Sequence, residues 1–249
     1  MSFKNILYKV FRGLIRPILN KPIFINTFSY SYQEEIYEKV MSFVAIANID
    51  ASVQNPWLEG DYLEFGVYRG NSFIIANRAA KKYNLTSMRY FAFDSFEGMP
   101  EQIGLDAQYQ RELGIDESGV GFLSCSVEEF TKILRKNKID LGNVSCIPGW
   151  FDDTLNEGAK NKFKIQKAAV IMIDCDRYES TVPVLSFCTD LVQDGTIFIF
   201  SDWFNFKGNP NWGEQKAFRE WLDRNSDISV TQYHKFGPWG NSFIIHLNK

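Results

Sequence analysis

The stretch Glu64-Phe65-Gly66-Val67-Tyr68-Arg69-Gly70-Asn71-Ser72 decides the fold of this chain. An apolar run over residues 62–67 leads into it, and a helical pattern over residues 72–82 follows. Its glycines allow a tight turn and a close approach of the backbone to a ligand. The free N–H groups of the helix start can bind either a carboxylate or a pyrophosphate. We therefore expect a ligand-binding loop, with a plain strand-to-helix turn as the alternative. The spacing of its glycines differs from the G-x-G-x-x-G of dinucleotide sites.

Short apolar runs along the rest of the chain predict a parallel sheet that is covered on both faces. The predicted strands lie at residues 90–93, 144–147, 169–173 and 196–200. Helical stretches at residues 127–136 and 180–191 separate some of them. A helix over 214–223 then precedes strands at 229–233 and 242–247, with only a loop between them. We therefore expect a doubly wound, Rossmann-like α/β fold. Its mostly parallel, seven-stranded sheet would end in a C-terminal antiparallel hairpin, as in class I methyltransferases.

The chain divides into a helical extension, residues 1–55, and the α/β domain, residues 56–249. The extension contains an amphipathic helix over residues 1–21 and a second helix over residues 33–47. An insertion over residues 95–125 is rich in Gly, Glu, Gln and Asp and shows little periodicity. Because it follows the second strand, it lies above the carboxyl edge of the sheet, where we expect it to act as a lid.

Composition and charge limit the partners of this chain. A formal net charge of −3 argues against a nucleic-acid-binding protein, so we expect a small molecule or a glycan. The cysteines are scattered without a C-x-x-C pair, which favours a cytoplasmic setting over a zinc site or a disulfide framework. Residues 1–21 carry only basic charges beside their apolar stripe. We favour packing of this stripe on the core or on a second subunit, and peripheral contact with the inner face of the membrane is the alternative.

Carboxylates that follow predicted strands meet at one edge of the sheet. Asp94 ends the second strand, where it can accept hydrogen bonds from both ribose hydroxyls of a cofactor; a turn cap is the alternative. Asp174 and Asp202 end the fourth and fifth strands. These two can hold Mg²⁺, which would lower the pKa of an acceptor hydroxyl. Alternatively, they cap turns while Asp176 pairs with Arg177.

Four blocks of sequence resemble the macrocin O-methyltransferase family and stand in that family's order. They are EFGVYRG at 64–70, FDSFEGMP at 93–100, GWFDDTL at 149–155 and DCDRYEST at 174–181. The similarity covers about residues 60–225, and four blocks are more specific than one glycine loop. The resemblance implies methyl transfer from S-adenosylmethionine to a sugar hydroxyl of a glycan or glycosylated metabolite. It also implies a homo-oligomer and the use of Mg²⁺, both of which are common in the family.

The predicted active site has a catalytic half and a cofactor half. Asp174 is the candidate base, with Asp202 beside it, for in-line attack of the acceptor oxygen on the sulfonium methyl. The resemblance implies Asp174 and Asp202 as metal ligands, but Ser201 stands where the family usually has another acid. The predicted cofactor residues are Glu64, Gly66, Tyr68, Arg69, Gly70, Asn71, Ser72, Asp94, Ser95, Ser126, Gly149, Trp150, Phe151 and Asp174.

Several of these residues have a purely structural alternative. Arg69 can be solvated, Ser126 can cap a helix, and the aromatic rings of Trp150 and Phe151 can fill the core. Two other functions also fit the sequence. One is a nicotinamide-dependent oxidoreductase, which shares the fold type, and the other is a non-catalytic protein that binds S-adenosylmethionine or a glycan.

Overall fold

The computed structural model of the protein describes residues 22–47, 58–101, 103–112 and 120–248. The amphipathic segment 1–21 lies outside these residues, so its contact with the core, a second subunit or a membrane stays a prediction. Within the described ranges, no helix is long and apolar enough to cross a membrane.

The described residues form one mixed sheet of seven strands. The strands are β1 Asp61–Phe65, β2 Tyr90–Asp94, β3 Val144–Pro148, β4 Ala168–Ile173, β5 Ile197–Phe200, β6 Ile228–Phe236 and β7 Gly240–Leu247. Their order in the sheet is β3-β2-β1-β4-β5-β7-β6. Strands β1 to β5 pair in parallel, whereas β7 runs antiparallel to both β5 and β6. The predicted doubly wound sheet with its antiparallel hairpin is therefore confirmed.

Helices precede and connect these strands. They are α1 Pro22–Ala47, α2 Asn71–Lys82, α3 Leu105–Glu112, α4 Val127–Lys136, α5 Phe151–Thr154, α6 Glu157–Phe163, α7 Tyr178–Cys188 and α8 Gly213–Arg224. Helices α1, α2 and α4 pack on one face of the sheet, and α6, α7 and α8 pack on the other. Because the central strands are covered on both faces, β4 and β5 consist entirely of buried, apolar residues.

Helix α1 is longer than predicted, because it begins at Pro22 rather than at residue 33. Proline is favoured at the first helical position, which agrees with the observed start. The aromatic and β-branched residues that follow are weak helix formers and show no helical periodicity, so the sequence does not predict this part of the helix. Helix α3 is a second difference, since it lies inside the insertion where no helix was predicted. Helix α7 ends three residues early, at Cys188, because a tight turn follows in which the amide of Leu191 donates to the carbonyl of Cys188 at 3.0 Å.

The aromatic cluster around Phe200 offers a test of the core. Phe200 is fully buried, and its ring packs against those of Trp203 and Phe218. We expect Phe200→Ala to lower the free energy of unfolding by about 3–5 kcal/mol, because the surrounding rings cannot close the cavity. Urea unfolding followed by circular dichroism measures this change. The control is Phe122→Ala, whose side chain is 51% exposed, with an expected change within about 0.5 kcal/mol; equal losses in the two variants would contradict this account of the core.

Candidate active site

A pocket of about 500 Å³ opens at the carboxyl edge of the parallel strands. Ligands of open α/β sheets bind at this edge, and the volume is typical of small-molecule sites. The loops after β1, β2 and β4, the starts of α5 and α7, and the insertion form its walls. The pocket therefore lies where the sequence predicts the ligand.

The structure brings about half of the predicted site residues to the pocket wall. Those that line it are Gly66, Tyr68, Asp94, Ser95, Trp150, Phe151 and Asp174. Those that do not line it are Glu64, Arg69, Gly70, Asn71, Ser72, Ser126, Gly149, Ser201 and Asp202. Several members of the second set support the wall through the contacts described next.

Gly66 and Asp174 meet backbone to backbone. The amide of Asp174 donates a hydrogen bond to the carbonyl of Phe65 at 2.9 Å, immediately before the glycine. A Cβ atom on Gly66 would lie 2.0 Å from the carbonyl oxygen of Asp174, and the φ of 86° also disfavours any other residue. The glycine therefore allows the loop to lie directly against the predicted base.

Asp94 holds the loops after β1 and β2 together. Its Oδ2 accepts hydrogen bonds from the amides of Val67 and Tyr68 at 2.8 and 3.1 Å, and its Oδ1 accepts from the amide of Phe96 at 2.7 Å. Tyr68 and Phe96 adopt φ values of 42° and 58°, which are uncommon for residues other than glycine. The turn-capping alternative is therefore present in the structure. Asp94 also lines the pocket, and its contact with ribose stays a prediction.

Glu64 is fully buried and joins a chain of hydroxyl groups. Ser72 donates a hydrogen bond to one carboxyl oxygen at 2.5 Å, and Tyr62 donates to the other. The hydroxyl of Tyr62 lies 2.7 Å from that of Tyr37 on α1. Burial raises the pKa of Glu64 to about 8, although both hydrogen bonds to the carboxyl group act to lower it. Glu64 thus connects the start of the glycine loop to α1.

Arg69 and Ser126 adopt their structural alternatives. The guanidinium of Arg69 lies 3.0 Å from the carboxylate of Glu129 in an exposed ion pair. The hydroxyl of Ser126 accepts a hydrogen bond from the amide of Glu129 at 3.1 Å and so caps α4. The predicted contacts of both residues with a cofactor stay predictions.

Ser201 links the carboxyl groups of Asp174 and Asp202. Its Oγ lies 2.5 Å from Oδ1 of Asp174 and 2.6 Å from Oδ2 of Asp202. A hydroxyl donates one proton, so the second contact requires a proton on a carboxyl group. Burial raises the pKa of Asp174 and of Asp202, and the charge of Asp202 raises the pKa of Asp174 further. The pair therefore shares a proton, and its deprotonated member is a stronger proton acceptor than an ordinary carboxylate, which suits a general base.

The residues around this pair do not form a complete Mg²⁺ site. Mg²⁺ takes about six oxygen ligands in octahedral geometry, several of them usually waters, and its protein ligands are typically free carboxylate oxygens. Within the part of the chain that the structure describes, no three His, Cys, Asp or Glu side chains are grouped to hold a metal ion. The Ser201 hydroxyl hydrogen-bonds to both carboxyl groups, and Oδ1 of Asp202 accepts a hydrogen bond from Asn205 at 2.8 Å. The ligand set therefore does not match the metal site that the resemblance implies.

Glu214 is a further buried carboxyl group, which the sequence does not single out. It is 1% exposed, and its Oε2 accepts a hydrogen bond from the amide of Asp202 at 3.1 Å. Its Oε1 has no hydrogen-bond partner among the described residues. Burial raises the pKa of Glu214, and the charges of Asp202 and Asp174 raise it further. An acid in the first turn of a helix usually lies at the surface beside the helix dipole, so the sequence carries no signal for this burial.

The insertion is anchored at the starts of α7 and α8. Asp106 in α3 is fully buried and accepts hydrogen bonds from the amides of Tyr178 at 2.6 Å and Gly213 at 3.1 Å. The guanidinium of Arg177 donates to the carbonyls of Pro100 and Glu101 at 3.5 and 3.4 Å. These contacts hold the described part of the insertion beside the pocket. Its opening and closing as a lid stay a prediction.

The pocket wall is strongly acidic. Six carboxyl groups line it, those of Asp94, Glu101, Asp152, Asp174, Asp176 and Glu179. Arg177 is the one Lys or Arg among the described residues of this wall. Such a concentration of one charge favours a cationic ligand and disfavours a phosphate.

The sequence of the chain matches a known family and individual enzymes. Residues 42–229 match the family described as Macrocin-O-methyltransferase (TylF). The 8-demethyl-8-(2,3-dimethoxy-alpha-L-rhamnosyl)-tetracenomycin-C 4'-O-methyltransferase of Streptomyces olivaceus is 33% identical over 145 residues, which are 58% of this chain and 53% of that protein. Mycinamicin III 3''-O-methyltransferase of Micromonospora griseorubida is 27% identical over 145 residues, 58% and 55% of the two chains. The chain thus spans about half the length of the curated relatives it matches.

Solved structures of methyltransferases share the fold. The O-methyltransferase NovP has a TM-score of 0.63 and 24% identity, covering 84% of this chain and 78% of that chain. The calicheamicin methyltransferase CalS11 has a TM-score of 0.59 and 18% identity, covering 98% and 93%. The O-methyltransferase TomG from Streptomyces achromogenes, solved in complex with S-adenosylmethionine, has a TM-score of 0.52 and 11% identity, covering 86% and 80%. At these identities, the likeness shows the fold.

The buried carboxyl group of Glu64 predicts a pH dependence of stability. Its pKa rises from 4.5 to about 8 on folding, so the folded state favours the protonated form. The resulting stabilisation is complete below pH 4.5 and is lost as the pH rises through about 8. Glu64→Gln is neutral at every pH. Between about pH 6 and about pH 9, we therefore expect the free energy of unfolding to fall less in the variant than in the wild type. The difference is at most about 3 kcal/mol, at about 1.4 kcal/mol for each pH unit between pH 6 and the folded pKa of about 8.

Urea unfolding at the two pH values measures this difference. Other buried carboxyl groups contribute equally to the wild type and the variant, so they cancel in the comparison. Glu59→Gln, at an exposed position, is the control and should follow the wild type. An identical pH dependence in the wild type and Glu64→Gln would contradict the raised pKa of Glu64.

Proposed function

Because the chain belongs to the macrocin O-methyltransferase family, we propose that it transfers a methyl group from S-adenosylmethionine to a sugar hydroxyl of a glycosylated metabolite or glycan. The observation that carries this proposal is the acidic pocket at the carboxyl edge of the sheet, with Asp174 on its wall. One relative acts, by its name, on a rhamnosyl tetracenomycin at the 4'-oxygen, which is the same class of chemistry.

The charge of the pocket supports S-adenosylmethionine over a dinucleotide. S-adenosylmethionine carries a positive sulfonium and a positive ammonium group, and six carboxyl groups line the wall. The pyrophosphate of NAD would meet the same carboxyl groups, with Arg177 as the nearby cation. Arg177 already donates to the carbonyls of Pro100 and Glu101. The electrostatics therefore favour a methyltransferase over an oxidoreductase.

The positions of the lining residues suggest how the cofactor would bind. We expect the methionine part beside Gly66 and Tyr68, the ribose at Asp94, and the adenine against the rings of Trp150 and Phe151. A carboxylate has about four acceptor sites, and Asp94 already uses three of them for backbone amides. One site is left, so we now expect Asp94 to accept a hydrogen bond from one ribose hydroxyl rather than from two.

Asp174 is the proposed base for the transfer. The acceptor oxygen would attack the methyl carbon, the carbon–sulfur bond would break with its electron pair staying on sulfur, and the hydroxyl proton would pass to Asp174. The products are a methyl ether and S-adenosylhomocysteine. Alignment of the reacting groups supplies much of the acceleration in such a step. The contact of Asp174 with Gly66 supports this role, because it brings the base beside the cofactor loop.

Apolar side chains at the pocket point to an acceptor with an apolar part. Ile103, Val120 and Leu123 line the pocket and are 65%, 72% and 40% exposed. Exposed apolar groups that cluster beside a pocket commonly mark a ligand contact. A free sugar would leave these side chains in water, whereas a sugar carried on an apolar aglycone would cover them. We therefore expect glycosides of apolar compounds to be better acceptors than free sugars.

Asp94→Asn tests the cofactor half of the site. Asparagine replaces one carboxylate oxygen with an NH₂ group, which cannot accept hydrogen bonds from the backbone amides that now donate to Asp94. The loop therefore loses charge-assisted hydrogen bonds. We expect the affinity for S-adenosylmethionine to fall about 10- to 100-fold, the equivalent of about 1.5–3 kcal/mol. Isothermal titration calorimetry measures the affinity. The control is Asp140→Asn, an exposed cap of Gly142, which should bind like the wild type; a wild type that binds NAD and not S-adenosylmethionine would overturn the proposal.

Asp174→Asn tests the catalytic half. Without a proton acceptor at this position, we expect kcat to fall by about 100-fold or more, because general-base catalysis typically contributes 10²–10⁴-fold. The affinity for S-adenosylmethionine should change by less than about 3-fold, because loss of a single wall carboxylate leaves the other acids in place. Mass spectrometry of a panel of glycosides, incubated with S-adenosylmethionine, measures the transfer.

Asp140→Asn is again the matched control and should retain wild-type kcat. Full activity of Asp174→Asn would remove Asp174 as the base. A wild type that binds S-adenosylmethionine but methylates none of the glycosides would favour the non-catalytic alternative.

A further inference from the structure

The hydroxyl of Ser201 lies at the position where the resemblance implies a metal ligand. The amide of Ser201 donates to the carbonyl of Ile173 at 3.0 Å, in the parallel register of β4 and β5. The sheet therefore fixes this residue beside Asp174, which directly follows Ile173. The backbone of Ser201 thus continues the strand pairing by one hydrogen bond beyond Phe200, and its side chain faces the carboxyl groups of Asp174 and Asp202.

The distances at Ser201 are those of hydrogen bonds. Its Oγ lies 2.5 and 2.6 Å from oxygens of Asp174 and Asp202. The hydroxyl therefore connects the two carboxyl groups and holds them next to each other, as a cation bound between them would.

The second side-chain oxygen and the amide of Asp202 also form hydrogen bonds. Oδ1 of Asp202 accepts from the side chain of Asn205 at 2.8 Å, and its amide donates to Glu214 at 3.1 Å. A neutral serine supplies no charge, and its hydroxyl hydrogen-bonds the carboxylate oxygens of Asp174 and Asp202 that would otherwise be free to hold a cation. Within the described residues, no third acidic or histidine side chain completes such a group.

We propose that Ser201 takes the place of a divalent cation in this chain, and that its hydroxyl positions Asp174 for methyl transfer without a bound metal. The proposal rests on the proposed methyl transfer for its catalytic part. Ser201 is then a positioning residue, because it does not line the pocket and acts through Asp174. An acid at position 201 would restore the carboxylate that the family usually has there.

Titration with Mn²⁺, followed by electron paramagnetic resonance, tests the metal part without any acceptor. Mn²⁺ takes the same oxygen ligands as Mg²⁺ and is directly visible. We expect no saturable Mn²⁺ binding by the wild type, with or without S-adenosylhomocysteine. Ser201→Asp should gain one saturable site, which the second change Asp174→Asn should remove. Circular dichroism confirms that each variant is folded before it is titrated.

The catalytic part is tested by substitutions that remove or keep the hydroxyl. We expect Ser201→Ala to lower kcat about tenfold while the affinity for S-adenosylmethionine is unchanged, and Ser201→Thr to retain most of kcat. Activity of the wild type should be unchanged by EDTA. A Ser201→Ala variant with full kcat would overturn the positioning role.

The proposal would be overturned if the wild type showed saturable Mn²⁺ binding and Asp174→Asn abolished it. That conclusion would hold regardless of the Mn²⁺ binding or activity of the Ser201 variants. A folded Ser201→Asp variant without Mn²⁺ binding would equally show that Ser201 is not what replaces the ion. If the wild type binds no Mn²⁺ and also transfers no methyl group, the proposed function fails and the metal-free site stands.

Discussion

The geometry of the proposed active site depends on the contact between the backbones of Gly66 and Asp174. Strands β1 and β4 are parallel neighbours in which Phe65 pairs with Ile173, so both strands end at the same level. The residues that follow, Gly66 and Asp174, then lie so close together that there is no room for a Cβ atom at position 66. The predicted cofactor loop and the proposed base are therefore positioned by a single feature of the sheet. Neither can shift along its strand without the other.

A second constraint is the number of carboxyl groups that the sheet edge holds away from water. Glu64, Asp174, Asp202 and Glu214 all have raised pKa values, and burial is the largest cause for each. Burying ionisable groups costs free energy unless hydrogen bonds or opposite charges compensate. Hydroxyl and amide groups supply part of that compensation here, and a cationic ligand would supply more. Groups with such pKa values cluster at functional sites, which agrees with the location of the pocket.

The fold was largely predictable because its signals are local. Strands β4 and β5 are continuous apolar runs, and the acids that matter follow directly after strands, so topology alone brings them together. The contacts that escaped prediction join residues far apart in the chain. Asp106 accepts hydrogen bonds from residues 72 and 107 positions away, and no local pattern encodes such partners. The link from Ser201 to two carboxyl groups likewise follows from strand register, which a sequence of apolar runs does not specify.

Helix α1 begins outside the region of the family match and contributes to the core of that region. The family match begins at residue 42, yet Tyr37 lies upstream of it and its hydroxyl contacts that of Tyr62, which donates to Glu64. A fragment trimmed to the matched boundary would expose apolar core and lose the contact between the hydroxyls of Tyr37 and Tyr62, a hydrogen bond worth about 0.5–1.5 kcal/mol. A helix that begins upstream of the family match therefore supports Glu64, which opens the glycine loop inside it.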